Sequence, residues 1–159
     1  MVMLSASAVG AADNSTDDLL TSGGADNLLD EGDTNVLSAP AGTSFSSLKQ
    51  LIDESPDGNV SLPWSYTYDD SQDSAYSDGI EISKAVNIIG NGFTIDGNNQ
   101  ARIFYIAADG VTLSNITFKN GIADAGGAIC SFGNNLNITL ASFESNNALK
   151  QGGCYLFKG

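Results

Sequence analysis

The chain has 159 residues, a formal net charge of −13 and no histidine. The length suits one domain, the acidic surface argues against nucleic acid as a partner, and the missing histidine removes the commonest general base and transition-metal ligand. No run approaches the ~20 apolar residues of a membrane-spanning helix, so direct membrane insertion is not expected. The 18 glycines, together with abundant Asn, Ser and Thr, favour a turn-rich all-β protein.

The N-terminal region divides into two segments. Residues 1–12 resemble the end of a secretory signal peptide, because small residues at Ala6, Ala8 and Ala11 form acceptable cleavage patterns before a polar stretch. Residues 13–42 contain seven acidic residues and no Lys or Arg, and they cannot bury enough apolar surface to offset their ordering entropy. We therefore predict a residual signal peptide, a disordered acidic linker and a secreted or cell-surface location.

A short helix is predicted next, over residues 45–54. Ser44 can cap it, and Phe45, Leu48 and Ile52 form an apolar stripe that ends before Pro56. A helix this short is not stable alone. We therefore expect its stripe to cover the first turn of a following β domain.

From residue 60 onward, short apolar segments alternate with Asn/Gly turns, and no segment shows convincing helical periodicity. Residues 111–130 align with residues 136–155 at an offset of 25 to 26 residues. A strand repeat of this period indicates a solenoid, and the framework of leucine-rich repeats is absent. The prediction is an all-β, right-handed parallel β-helix over residues 43–159. The aligned positions pair Phe118 with Phe143 and the doublet Gly126-Gly127 with Gly152-Gly153.

The glycine doublets also predict which side chains stack from one coil to the next. They place Cys130 three residues after its doublet but Cys154 only one residue after its own. Two strand residues plus one inter-strand step exceed the usual disulfide limit of about 7 Å, so the two cysteines are expected to stay unbonded. The predicted columns are Ile103, Ile129 and Tyr155, and, in the core, Phe104, Cys130 and Leu156.

Two short motifs carry a resemblance to known families. Gly126–Ile129 read GGAI and Phe143–Asn146 read FESN, which resembles the GGAI and FxxN repeats of chlamydial polymorphic outer-membrane proteins. The order ISKAVNIIGNGFTIDGNN, VTLSNITFKNG and GGAI is similar to adhesin-like surface proteins of methanogenic archaea. The resemblance covers residues 43–159. It implies a pectin-lyase-like β-helix that binds surface glycans or proteins of a host or neighbouring cell.

The same superfamily includes polysaccharide lyases and glycoside hydrolases, so a fragment of a carbohydrate-active enzyme is one alternative, and a passive structural stalk is another. Arg102 is the sole arginine and has no adjacent acidic ladder to complete a lyase site. Asp96 and Asp109 are the nearest carboxylates for a hydrolase pair, but both stand in turn sequences that favour Asp, and Asp124 lies in a loop. We therefore predict no enzymatic activity and no catalytic, cofactor-binding or metal-binding residues.

The segment 69–78 is predicted to be a solvated acidic loop. Its Asp69, Asp70, Asp73 and Asp78 suggest weak Ca²⁺ binding as the alternative, but the Gly and Glu positions of a calcium loop are missing.

A group of aromatic residues flanks this loop and could stack on sugar rings. The preferred interpretation is that these residues cover the first coil beneath the helix. The group consists of Trp64, Tyr66, Tyr68 and Tyr76.

The final segment, GGCYLFKG, begins a coil and stops before its other strands. We therefore expect a chain that is truncated at its C-terminus and that self-associates through an uncapped C-terminal coil.

Overall fold

The computed structural model describes residues 43–150, which form a β-solenoid of about 4 turns with about 25 residues per turn. Every strand pair described is parallel. The predicted β-helix architecture is confirmed. The predicted signal peptide (1–12), the linker (13–42) and the last residues (151–159) lie outside the described part of the chain.

One short helix precedes the solenoid. Helix α1 spans Phe45–Asp53, and the side chain of its N-cap, Ser44, accepts a hydrogen bond from the backbone of Ser47. Its three apolar residues, Phe45, Leu48 and Ile52, are buried, as predicted. The Phe45 ring meets Tyr68 of the first coil edge-on, at 5.4 Å between centroids. The helix therefore covers the apolar interior of coil 1.

Each coil contributes three or four very short strands, separated by tight turns. Coil 1 contains β1 (Asn59–Ser61), β2 (Tyr66–Thr67) and β3 (Ile80–Ile82); coil 2 contains β4 (Asn87–Ile89), β5 (Thr94–Asp96) and β6 (Phe104–Ile106). Coil 3 contains β7 (Thr112–Ser114), β8 (Thr117–Lys119), β9 (Ile122–Ala123) and β10 (Ile129–Ser131); coil 4 contains β11 (Asn137–Thr139), β12 (Ser142–Glu144) and β13 (Asn147–Ala148).

The strands stack into three main sheets. Sheet 1 has the order β1-β4-β7-β11, sheet 2 has β2-β5-β8-β12, sheet 3 has β3-β6-β10, and β9 pairs with β13. Side chains alternate across each strand, so every strand sends part of its residues into a shared interior. The predicted pair Phe118 and Phe143 is confirmed, because the two residues are in register and their rings stack at 5.1 Å. This interior fixes the coil-to-coil alignment.

The predicted columns are wrong by one residue. Ile129 pairs with Phe104, and Cys130 pairs with Tyr105, an offset of 25 residues. The same offset of 25 relates all strand pairs between coils 3 and 4. The glycine doublets suggested 26 because they stand in a loop, where an extra residue is absorbed. The ladder of the strands is set by backbone hydrogen bonds, which do not allow that slip.

The prediction that Cys130 and Cys154 are unbonded is also wrong. Cys130 is buried and disulfide-bonded, and Cys154, which lies outside the described residues, is the only other cysteine in the sequence. The register explains the error: 24 residues separate the two positions against a repeat of 25, a shift of one strand residue (~3.4 Å) instead of two. That shift falls within the ~7 Å disulfide limit. Cys130 is thus in the column of Glu81 and Tyr105, not in the core column of Phe104.

The acidic segment is not an open loop. It contains a four-residue helix, α2 (Asp70–Asp73), followed by a 3-10 turn over Ser74–Tyr76. Asp69 caps α2 by accepting a hydrogen bond from the backbone of Ser71. One helical turn is too short to show periodicity, which is why the sequence pattern missed it. Among residues 43–150, no helix has the length and apolar character needed to cross a membrane.

Candidate functional site

The carboxylate of Asp73 is a structural anchor for helix α1. It is fully buried and accepts hydrogen bonds from the backbone nitrogens of Phe45 (3.0 Å), Ser46 (2.9 Å) and Asp69 (3.0 Å), as well as from the Ser46 hydroxyl. A negative charge at the helix N-terminus satisfies amides that lack partners within the helix. Both oxygens of Asp73 are therefore engaged by donors, which leaves this residue poorly placed for Ca²⁺.

The neighbouring acidic residues are also tied into local turns. Hydrogen bonds from Ser71 and Gln72 lower the pKa of Asp69, and Tyr68 donates its hydroxyl to Asp70 at 3.0 Å. Within the described residues, no group of three or more His, Cys, Asp or Glu side chains could hold a metal ion. The weak Ca²⁺ alternative gains no support from this arrangement.

The FxxN motif joins two coils. The buried Asn146 side chain accepts a hydrogen bond from Gly121 N (2.8 Å) and donates one to Phe118 O (2.9 Å). A Cβ added to Gly121 would lie 2.9 Å from the Asn146 Oδ1 and 2.4 Å from Gly127 O. This crowding accounts for the departure of coil 3 from the motif, where FKNG replaces FxxN.

The GGAI motif forms the adjacent corner. Gly126 adopts φ +61°, which glycine accommodates without strain. A Cβ on Gly127 would come within 2.1 Å of Asn147 O, so no side chain fits. Ala128 and Ile129 then enter the core. Both motifs behind the family resemblance thus serve coil packing and present no reactive group.

The carboxylates considered for a hydrolase pair stand at different corners of coil 2. Asp96, at the end of β5, accepts hydrogen bonds from Asn98 N (2.8 Å) and Asn120 Nδ2 (3.0 Å). Asp109, after β6, accepts them from Asn134 N (2.6 Å) and Nδ2 (3.1 Å). They act as turn residues that join adjacent coils. The third candidate, Asp124, pairs on the surface with Lys150 at 3.0 Å.

The guanidinium of Arg102 links three coils. Its Nη1 donates to Asp78 O (2.9 Å), before β3 of coil 1, while Nη2 and Nε donate to Ala125 O (3.1 Å) and Gly126 O (3.2 Å) of coil 3. Three charge-assisted hydrogen bonds from one side chain fix its position. The residue considered as a lyase base therefore has all three nitrogens engaged by main-chain carbonyls.

A groove of about 460 Å³ lies beside Arg102 on the outer surface of sheet 3. We call it the Arg102 groove. Glu81 and Tyr105 stand next to each other in register on β3 and β6, and the Arg102 Cζ lies 5.9 Å from the centre of the Tyr105 ring. The groove is lined by Lys49, Ala75, Tyr76, Asp78, Gly79, Glu81, Arg102 and Tyr105.

The predicted aromatic group separates into different roles. Tyr66 and Tyr68 are buried, so the prediction that they cover the first coil is confirmed, and burial is the main cause that raises the pKa of each. Trp64 is 43% exposed and stands outside the groove, whereas Tyr76 is half-buried and lines it. Tyr105 was missed by the sequence reasoning. Its signal was the alternation in β6, where Phe104 and Ile106 point inward and leave the middle residue on the outer face.

The groove combines aromatic surface with carboxylates on a rigid support. Such a mixture of apolar walls and a few placed polar groups is typical of ligand sites. No protein-family model, curated protein or solved structure matches the chain. The functional argument therefore rests on the geometry of the groove and on the motifs.

Proposed function

We propose that this chain is an adhesin-like protein, secreted or displayed at the cell surface, which contacts its partner through the Arg102 groove and does not turn over a substrate. One observation carries the proposal. Arg102, the sole arginine, uses all three guanidinium nitrogens to join coils, so the groove offers a fixed surface in place of a free base. The GGAI and FxxN resemblance supports the surface location.

Rigidity favours binding at such a surface. Tyr105 and Glu81 belong to strands whose neighbouring residues, Phe104, Ile80 and Ile82, are fully buried. Side chains held this way lose little conformational freedom when a partner binds, which improves affinity. A stacked solenoid can present this surface at a distance from its attachment point.

A passive stalk is the second candidate function. It is favoured by the structural use of both motifs, since Asn146 and Gly127 couple coils and contact nothing outside the fold. The two functions differ in whether substitutions in the groove matter. A stalk would tolerate them, whereas an adhesin would lose its grip on the partner surface.

The location is tested by antibody labelling of intact and permeabilised cells of the source organism. We expect labelling of intact cells or recovery of the protein from the medium. Signal that appears only after permeabilisation would contradict the proposed location.

Adhesion is tested with beads that carry the full chain, washed over lawns of the same and of neighbouring cells. The Glu81→Gln/Tyr105→Ala variant should lose most of the bead retention, and Trp64→Ala, an exposed aromatic outside the groove, should retain it. Equal retention of all three proteins, or of none, would overturn the adhesion proposal.

A further inference from the structure

The cations and the carboxylates of the Arg102 groove differ in what they have left to offer. Arg102 donates to three carbonyls, and Lys49 forms an ion pair with Asp53 one helical turn away. Within residues 43–150, the exposed carboxylates of Glu81 and Asp78 have no hydrogen-bond partner. The groove therefore presents free acceptors and no free charged donor.

This imbalance selects the ligand by charge. An anionic ligand would meet two uncompensated carboxylates on a chain of formal net charge −13. A cationic ligand would approach the Tyr105 ring close to the Arg102 guanidinium, which lies 5.9 Å from the ring centre, and beside Lys49. A neutral ligand rich in hydroxyl donors avoids both repulsions and satisfies the acceptors.

The aromatic walls select the ligand by shape. Tyr76 and Tyr105 are both half-buried, so each ring is held by the fold while part of it faces the groove. Tyrosine offers a broad apolar face at low entropic cost. The volume of about 460 Å³ falls within the usual range for small-molecule sites. A pyranose ring has the matching chemistry, with C–H groups on its faces and hydroxyls on its rim.

We propose that the Arg102 groove binds a neutral glycan, with a sugar ring against Tyr76 and Tyr105 and with hydroxyls donating to Glu81 and Asp78. This inference rests on the proposed role of the groove as the contact surface. It narrows the partner from any surface molecule to uncharged carbohydrate.

The experiment measures binding of the full chain to immobilised neutral oligosaccharides (glucose, galactose, mannose and N-acetylglucosamine oligomers) and to polygalacturonate as the anionic comparison. Wild type should bind at least one neutral series and not polygalacturonate. Glu81→Gln should weaken binding about tenfold or more, because a hydrogen bond to a charged acceptor is replaced by a neutral one. Tyr105→Phe should stay within about threefold, whereas Tyr105→Ala should lose about tenfold or more.

Trp64→Ala is the matched aromatic control and should bind like wild type, and thermal melting verifies that each variant folds. No neutral glycan bound by wild type, or equal binding by Glu81→Gln and Tyr105→Ala, would overturn the inference. Bead adhesion separates this failure from that of the proposed function. Retention that depends on the groove but resists periodate and is abolished by protease treatment of the cells would leave the adhesin and remove the glycan.

Discussion

The side chain of Asn146 in coil 4 accepts a hydrogen bond at 2.8 Å from the backbone nitrogen of Gly121 in coil 3. The same amide donates to Phe118 O at 2.9 Å. One buried side chain thus replaces water for two main-chain groups at a corner where the strand ladder is interrupted. The relationship explains why Asn occurs in the FxxN motif and why glycine faces it in the preceding coil.

Replacing Asn146 by Ala should lower the free energy of unfolding by about 2–4 kcal/mol, because both main-chain groups would be left buried without a partner. Asn147→Ala is the control, since Asn147 is exposed and the change should stay within about 0.5 kcal/mol. Urea denaturation followed by circular dichroism measures both. A loss for Asn146→Ala no larger than for the control would contradict the coupling role.

Replacing Arg102 by Lys should cost about 1–3 kcal/mol, since an ammonium cannot reach the carbonyls of Asp78, Ala125 and Gly126 in the geometry of the guanidinium fork. Lys150→Ala, which removes only the exposed pair with Asp124, should change stability by less than about 1 kcal/mol. Denaturant midpoints compare the two. Equal stability of Arg102→Lys and wild type would show that the link between coils is dispensable.

The isosteric change Asp73→Asn should destabilise the chain by about 2–3 kcal/mol. Each carboxylate oxygen faces backbone donors, so the new NH₂ group would oppose N–H groups of Phe45 and Asp69 or of Ser46. Asp70→Asn, on the exposed side of α2, provides the comparison and should cost less than about 1 kcal/mol. Thermal melting of both variants at neutral pH decides. A similar melting temperature for the two would mean that α1 is not held by Asp73.

Alkaline pH should weaken the fold. Burial is the main cause that raises the pKa of Tyr68 and of Tyr66 above the ordinary value of about 10. The unfolded chain therefore loses these protons first, and the free energy of unfolding falls as pH rises from about 10 toward the raised values. Urea titrations between about pH 9 and pH 11.5 should show a shallower fall for Tyr66→Phe/Tyr68→Phe than for wild type. Parallel slopes would rule out the tyrosines as its source.

Much of the fold was accessible from the sequence because it depends on repetition. The spacing of Phe118 and Phe143 predicted the stacked interior, and the stripe of Phe45, Leu48 and Ile52 predicted the capping helix. Register was not accessible to one residue, because the glycine doublets used for alignment stand in a loop. The disulfide state of Cys130 was misjudged through the same shift.

The candidate site was harder to predict because it depends on contacts between main chain and side chain over long sequence distances. Arg102 meets carbonyls of Asp78 and Ala125, each more than 20 residues away, and a carbonyl leaves no signature in a sequence. Asp73 is one of four aspartates in its segment, and only the approach of α1 distinguishes it. Alternation within β6 was the one available signal for Tyr105.

The central claim is that the Arg102 groove binds a partner without transforming it. The direct test incubates the full chain with neutral and anionic polysaccharides and measures, in the same samples, retention by affinity electrophoresis and release of reducing ends or unsaturated products. The account predicts retardation on a neutral polysaccharide that Glu81→Gln reduces, with no product above that of a heat-denatured sample. Product that accumulates with time and disappears in Glu81→Gln would contradict the account and identify the groove as an active site.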